Sequence, residues 1–167
     1  DGDRTASWGE IDRRSDAAAA RLKGMNLAAG DSIAAVAGAG IAHAVLKLAC
    51  LKQGVVHVPL APTLLASSFG RARLDGLLKV ARPKLILCEA GAMDAVATLA
   101  RVPVHDLAQH CAGSRHAAFT RPAHASADPA ALYFTSGSTG EPKAVVITRG
   151  MIASNQAAYA RHWPFLA

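Results

Sequence analysis

The sequence predicts an α/β fold: a parallel sheet flanked by helices in a three-layer sandwich. Two observations carry that reading. Short apolar runs alternate with helix-length amphipathic segments, and Gly, Pro or Asp punctuates most of the junctions between them. The composition agrees. With 167 residues, 51% hydrophobic and 18% charged, the chain has the length of a domain, can bury a sizeable core and is no disordered tail.

The elements follow in order. Ser7-Trp8-Gly9-Glu10 has the S-x-x-E form of a capping box. It predicts a helix with Ile11, Ser15, Ala18, Ala19 and Leu22 on one face and Gly24 as its stop. Gly30-Asp31 turns the chain into a strand, Ser32–Ala37. Gly38 to Gly40 is a tight turn, read as structural because a phosphate-binding fingerprint would need a third glycine. A helix follows over Ile41–Gln53, presenting Val45, Leu48 and Ala49 inward and ending at Gly54. Val55–Val58 is a short buried strand. The next helix is expected over Ser68–Ala81, with Phe69, Leu74, Leu77 and Leu78 as its apolar set and Pro83 as its stop. Lys84–Cys88 is a strand, Met93–Leu99 a helix and Val102–Val104 a further strand. Residues 1–107 are thus expected to form one α/β subdomain, and 108–128, aperiodic and interrupted by Pro122, a connector. Residues 129–167 open a second unit: strand, polar loop, strand, then a helix over Arg149–Arg161.

Charge and rare residues exclude several classes. The net charge is +6, yet no run of four basic residues occurs, so a generally basic surface outweighs nucleic-acid binding. Cys50, Cys88 and Cys111 are far apart and form no C-x-x-C pair, which favours a reducing compartment and hence a cytoplasmic location. The seven histidines show no metal spacing and are expected on the surface or in loops. No signal-peptide pattern opens the sequence. Ile33–Leu51 is interrupted by glycines, His43 and Lys47, so no membrane span is expected.

The chemistry concentrates in Leu132-Tyr-Phe-Thr-Ser-Gly-Ser-Thr-Gly-Glu-Pro-Lys143. Apolar runs, Ala130–Phe134 and Ala144–Ile147, enter and leave it. Gly137 and Gly140 permit close approach of backbone N–H groups to an anion. Thr135, Ser136, Ser138 and Thr139 add hydroxyl donors, and Lys143 a mobile positive charge. This inventory suits a polyphosphate. The spacing is not that of the Walker loop, because Pro142 replaces its second glycine and Ala144 its magnesium-binding hydroxyl. It is not a dinucleotide fingerprint, and its Gly-x-x-Gly lies between strands rather than the helices of a KH domain. On residue types alone, a plain polar hairpin remains open.

The order of residues from Tyr133 to Val145 resembles the phosphate-loop signature of the AMP-forming adenylating superfamily, which includes acyl- and aryl-CoA synthetases, peptide-synthetase adenylation domains and luciferases. Leu51-Lys-Gln-Gly-Val-Val-His-Val-Pro-Leu60 resembles a second, architectural segment of that family, with His57 where an aromatic is common and Ala61 where an Asp is common. Pro-Lys-Ala-Val in the loop and Asn155-Gln156 downstream are similar to feruloyl-CoA synthase-like members. The resemblance implies the N-terminal part of an adenylating enzyme's large domain. It implies an acid–CoA ligase that activates a carboxylic acid, including aryl and phenylpropanoid acids, as acyl-AMP and passes it to CoA. ATP and Mg2+ would serve as cofactors, with the magnesium ligands downstream of this chain, and CoA as co-substrate. Thr135, Ser136, Gly137, Ser138, Thr139, Gly140 and Lys143 would hold the ATP phosphates; no catalytic residue and no metal ligand is assigned within the segment. The partners implied are small molecules, without nucleic acid or membrane. Carrier-protein loading by another branch of the family is the rival reading, and an RNA-binding module built on the basic charge is a distant one.

Overall fold

The structure, a computed structural model, describes residues 5–113, 119–135 and 142–162. Six strands form one sheet in the order β4-β3-β1-β2-β5-β6. They are β1 (Ser32–Val36), β2 (Val56–Leu60), β3 (Leu85–Cys88), β4 (Val104–Asp106), β5 (Pro129–Thr135) and β6 (Lys143–Thr148). The first five run parallel, and β6 is antiparallel to β5 at the edge. The sheet is therefore mostly parallel. The exception follows from connection length, since a short link between adjacent strands can return the chain only antiparallel. β5, from the segment expected to open a second unit, pairs with β2 in the same sheet, His57 opposite Ala131.

Among the described residues there are six α-helices: α1 (Trp8–Gly24), α2 (Ile41–Gln53), α3 (Ser68–Ala81), α4 (Met93–Ala97), α5 (Leu107–His110) and α6 (Arg149–His162). Side chains alternate strictly between the two faces of the central strands. Ile33, Ala35, Leu85 and Leu87 bury with Ala18, Leu22, Leu46 and Ala49 under α1 and α2. Ala34, Val36, Val58, Ile86 and Cys88 bury with Leu74, Leu77 and Leu78 under α3, with Val96 of α4 in the same cluster. The two cores give the three layers.

Local signals act as the sequence suggests, with some differences. Ser7 Oγ accepts the Glu10 N–H at 3.2 Å. Only half of the capping box forms, because the Glu10 carboxylate pairs instead with Arg14 at 3.3 Å. Gly54 ends α2 in the left-handed region, φ 84°, donating to Cys50 O at 2.8 Å. α1 ends at Gly24, but the left-handed residue beyond it is Asn26, φ 59°. Phe69, expected in the apolar set of α3, is 77% exposed; Gly70 and Leu74 take the buried stripe. Leu48 is only half-buried, and Leu46 fills the core instead. The fourth strand lies two residues later than expected, because Pro103 has no N–H to give to the ladder while its carbonyl accepts from Ile86. Lys52, its side chain 8% exposed, crosses from α2 to α1 and meets Asp12 at 2.6 Å and Asp16 at 2.7 Å.

Candidate active site

The candidate site lies at the carboxyl edge of the sheet. β5 leaves the sheet at Thr135 and β6 re-enters at Lys143, and the two are direct partners in the antiparallel ladder. Paired residues share a face, so the Thr135 hydroxyl and the Lys143 side chain stand on one side of the hairpin. Both are exposed, and the Thr135 hydroxyl lies 3.5 Å from the Lys143 carbonyl. Leu132 and Phe134, on the other side, pack against the core beneath α3 and hold the hairpin by burial. Ser136, Gly137, Ser138, Thr139 and Gly140 lie outside the described residues. The structure therefore brings together the first and last members of the expected phosphate-binding set.

A crevice of about 710 Å³ opens at the same edge, lined by Gly38 to Ile41, Arg14, Glu89 and Asp106 among others. The connections after β1 and β3 depart there to opposite faces, the position where open α/β sheets place ligands. The turn after β1 is pinned by Glu89, whose carboxylate accepts the Gly38 N–H at 2.8 Å. Gly40 is fully extended, φ 175°, so this turn carries no strain.

Two histidines depart from the sequence expectation. His57 is 2% exposed and His110 6%, against the expectation of surface positions. His57 sits on β2 within an apolar run, on the face covered by α2, where His43 reaches it at 3.1 Å between their Nε2 atoms. Burial, with His43 and then Lys47 nearby, pushes His57 down to about 3. Burial, with Arg21 and His105, lowers His110 to about 4. Both rings are therefore neutral at physiological pH. The odd-numbered positions of β2, which face α2, were the available signal. Arg149 opens α6. Its Nη2 donates to the Leu51 carbonyl, tying β6 to the end of α2, and its backbone N–H bonds Asp128 O at 3.0 Å.

All three cysteines are free and buried. Burial raises Cys88 to about 11 and Cys111 to about 12, and raises Cys50 strongly. None is a thiolate nucleophile at neutral pH. Among the described residues, no group of three or more His, Cys, Asp or Glu side chains could hold a metal ion, and no helix is long and apolar enough to cross a membrane.

Comparison with known proteins gives the family. A family model described as "AMP-binding enzyme" matches residues 1–166. The 4-hydroxyphenylalkanoate adenylyltransferase of Mycobacterium marinum is 30% identical over 167 residues, spanning 90% of this chain and 25% of that protein. The hybrid PKS-NRPS synthetase pydA of an Acremonium species is 30% identical over 150 residues, spanning 88% of this chain and 4% of its own length. Among solved structures, ATP-bound MatB from Rhodopseudomonas palustris superposes with a TM-score of 0.83 at 27% identity, over 97% of this chain and 33% of that one. The chain spans a quarter or less of these curated relatives. Its mostly parallel sheet, its hairpin at the carboxyl edge and the family match along nearly its whole length lead to one conclusion: the chain belongs to the AMP-binding enzyme family.

Proposed function

We propose that this segment supplies the ATP phosphate loop of an AMP-forming acid–CoA ligase. In this reading a carboxylate attacks the α-phosphate of ATP, acyl-AMP forms and pyrophosphate leaves; the CoA sulfur, losing its proton, then attacks the acyl carbon and AMP leaves. Residues 135–140 and Lys143 cradle the departing pyrophosphate, where charge builds in the transition state. Magnesium, when bound, shares that charge through ligands outside this segment. One observation carries the proposal: Thr135 and Lys143 face each other across the mouth of the hairpin, on one side, at the carboxyl edge of the sheet. Residues 129–167 then begin a second subdomain that completes the nucleotide site, and the enzyme works in the cytoplasm. The resemblance to feruloyl-CoA synthase-like members, together with a relative named for adenylating 4-hydroxyphenylalkanoates, favours an aryl acid substrate.

A second reading, transfer to a carrier protein in place of CoA, is favoured by the hybrid PKS-NRPS relatives. The experiment measures two half-reactions in the full-length protein. Lys143→Ala should slow acyl-adenylate formation about tenfold, the lower end for a lost charge-assisted contact because Lys143 is exposed. Transfer from preformed acyl-adenylate should change little. Unchanged adenylation in a stably folded Lys143→Ala would reject the phosphate cradle. Acceptance of a carrier protein but not of CoA would select the second reading.

A further inference from the structure

The carbonyls of a helix's last turn need partners from outside the helix. At the end of α2, two of them are taken by side chains from far along the chain. Cys50 O accepts the N–H groups of Gly54 and Val55 at 2.8 and 3.0 Å. Leu51 O accepts from the Arg149 guanidinium, 98 positions away. Lys52 O accepts from His124 Nε2 at 3.3 Å, 72 positions away. A carbonyl only accepts, so His124 carries a proton on Nε2 whether its ring is neutral or charged. Arg149 thus brings a permanent positive charge to the negative end of the helix dipole.

The same two residues flank the base of the hairpin. Arg149 follows β6 directly, and its backbone N–H bonds the carbonyl of Asp128, the residue before β5. Gly150 N–H bonds Ser126 O at 2.8 Å, and a Cβ at Gly150 would lie 3.0 Å from that oxygen. His124 packs on Gly54, where a Cβ would overlap its ring. Asp128 folds the segment back, its carboxylate accepting the Ala125 N–H at 2.7 Å. Residues 124–128 are therefore wedged between the end of α2 and the start of α6. By contrast, β5 and β2 share one register pair, His57 with Ala131. Burial of Leu132 and Phe134 also holds the hairpin, but burial is non-directional. Arg149 and His124 supply directed contacts to α2.

We propose that Arg149 is a positioning residue: it clamps the base of the hairpin to the carboxyl end of α2, with His124 as the second contact, and so sets where Thr135 and Lys143 stand. The consequence for adenylation rests on the phosphate-loop reading above. The Arg149 Nε–H is buried with no partner among the described residues. Its desolvation offsets much of what the bond to Leu51 contributes, so the contact fixes placement more than it adds stability.

The test compares Arg149→Met and Arg149→Lys in the full-length protein, by hydrogen exchange and by the adenylation half-reaction. Arg149→Met should speed amide exchange over 130–135 and 143–148 about tenfold, the worth of one charge-assisted bond, and leave β1 and β3 unchanged. Its kcat for acyl-adenylate formation should fall about tenfold, with the KM for ATP changing less than about threefold, because a misplaced group costs chiefly in the transition state. Arg149→Lys keeps a charge and a donor for the single bond to Leu51, and should recover most of both losses. Unchanged hairpin exchange in Arg149→Met, or exchange raised equally in β1 and β3, would overturn the clamp. Should Arg149→Met not fold, unchanged hairpin exchange in His124→Ala would overturn it. Lys143→Ala separates the clamp from the reading beneath it. Slowed adenylation in Lys143→Ala beside normal adenylation in Arg149→Met overturns the positioning role. Normal adenylation in both, with hairpin exchange raised in Arg149→Met, upholds the clamp and rejects the phosphate cradle.

Discussion

Replacing Gly70 by alanine should destabilise the protein, although the same change six residues further along α3 should stabilise it. In a helix interior alanine is better than glycine by about 0.5–1 kcal/mol, because glycine loses more backbone freedom on folding. Gly76 meets that case: a Cβ there has nothing within 4 Å. At Gly70 the added Cβ would fall well inside 3.0 Å of the Leu64 carbonyl oxygen, with Leu64 C at 3.0 Å and Cα at 3.2 Å. These atoms are backbone, in the 3-10 turn Pro62–Ala66 that leads into α3, so no rotamer change relieves the clash. The Gly70 N–H also bonds Ser67 Oγ at 3.0 Å, which fixes the first turn of the helix against that approach. Overpacking of this kind costs about 1–3 kcal/mol, enough to outweigh the propensity gain. Gly76→Ala should raise the melting temperature by about 1–4 °C, and Gly70→Ala should lower it by several degrees. Thermal and urea unfolding of the two variants, made in one background, measure the difference. A Gly70→Ala protein as stable as the parent would refute the argument that close packing, not flexibility, keeps glycine at this position.

Two further outcomes follow from buried groups. His57 and His110 are held neutral at about 3 and 4, below the ordinary value near 6.5. The unfolded chain therefore binds protons that the folded one refuses. Stability should be constant above about pH 6.5 and fall below it, by up to roughly 1.4 kcal/mol per pH unit for each ring. Urea midpoints that stay level between pH 7.5 and pH 5 would contradict it. The three cysteines should react with a thiol reagent only as fast as the protein unfolds, since all are buried with raised pKa values; rapid labelling of any one in the native protein would show that its burial is incomplete.

What the sequence carried was the part governed by local rules. α2 and α3 fall on the expected residues because a glycine or serine opens each and a left-handed residue, Gly54 or Arg82, closes it. The alternation of β1 and β3 between two cores likewise follows from apolar runs of the right length. Pairwise and three-dimensional facts were out of reach. Nothing local says that β6 returns antiparallel, or that Glu10 prefers Arg14 to its own helix cap. The burial of His57 depends on His43 standing opposite, 14 positions away in the chain. For the candidate site, motif order singled out Thr135 and Lys143, and their facing arrangement came only with the ladder between β5 and β6.

The strand order has a consequence for how the protein assembles and opens. β1, α2 and β2 are consecutive, and β1 pairs with β2 along its whole length, so they can form early with short loop closures. β5 must return across more than sixty residues to reach β2, and the two share one register pair, His57 with Ala131. The hairpin bearing Thr135 and Lys143 should therefore be a late-docking unit that exchanges its amide hydrogens sooner than β1 and β3. Such a division lets the edge hairpin loosen at the cost of the Leu132 and Phe134 contacts, while the strands and helices at the centre of the two cores stay closed.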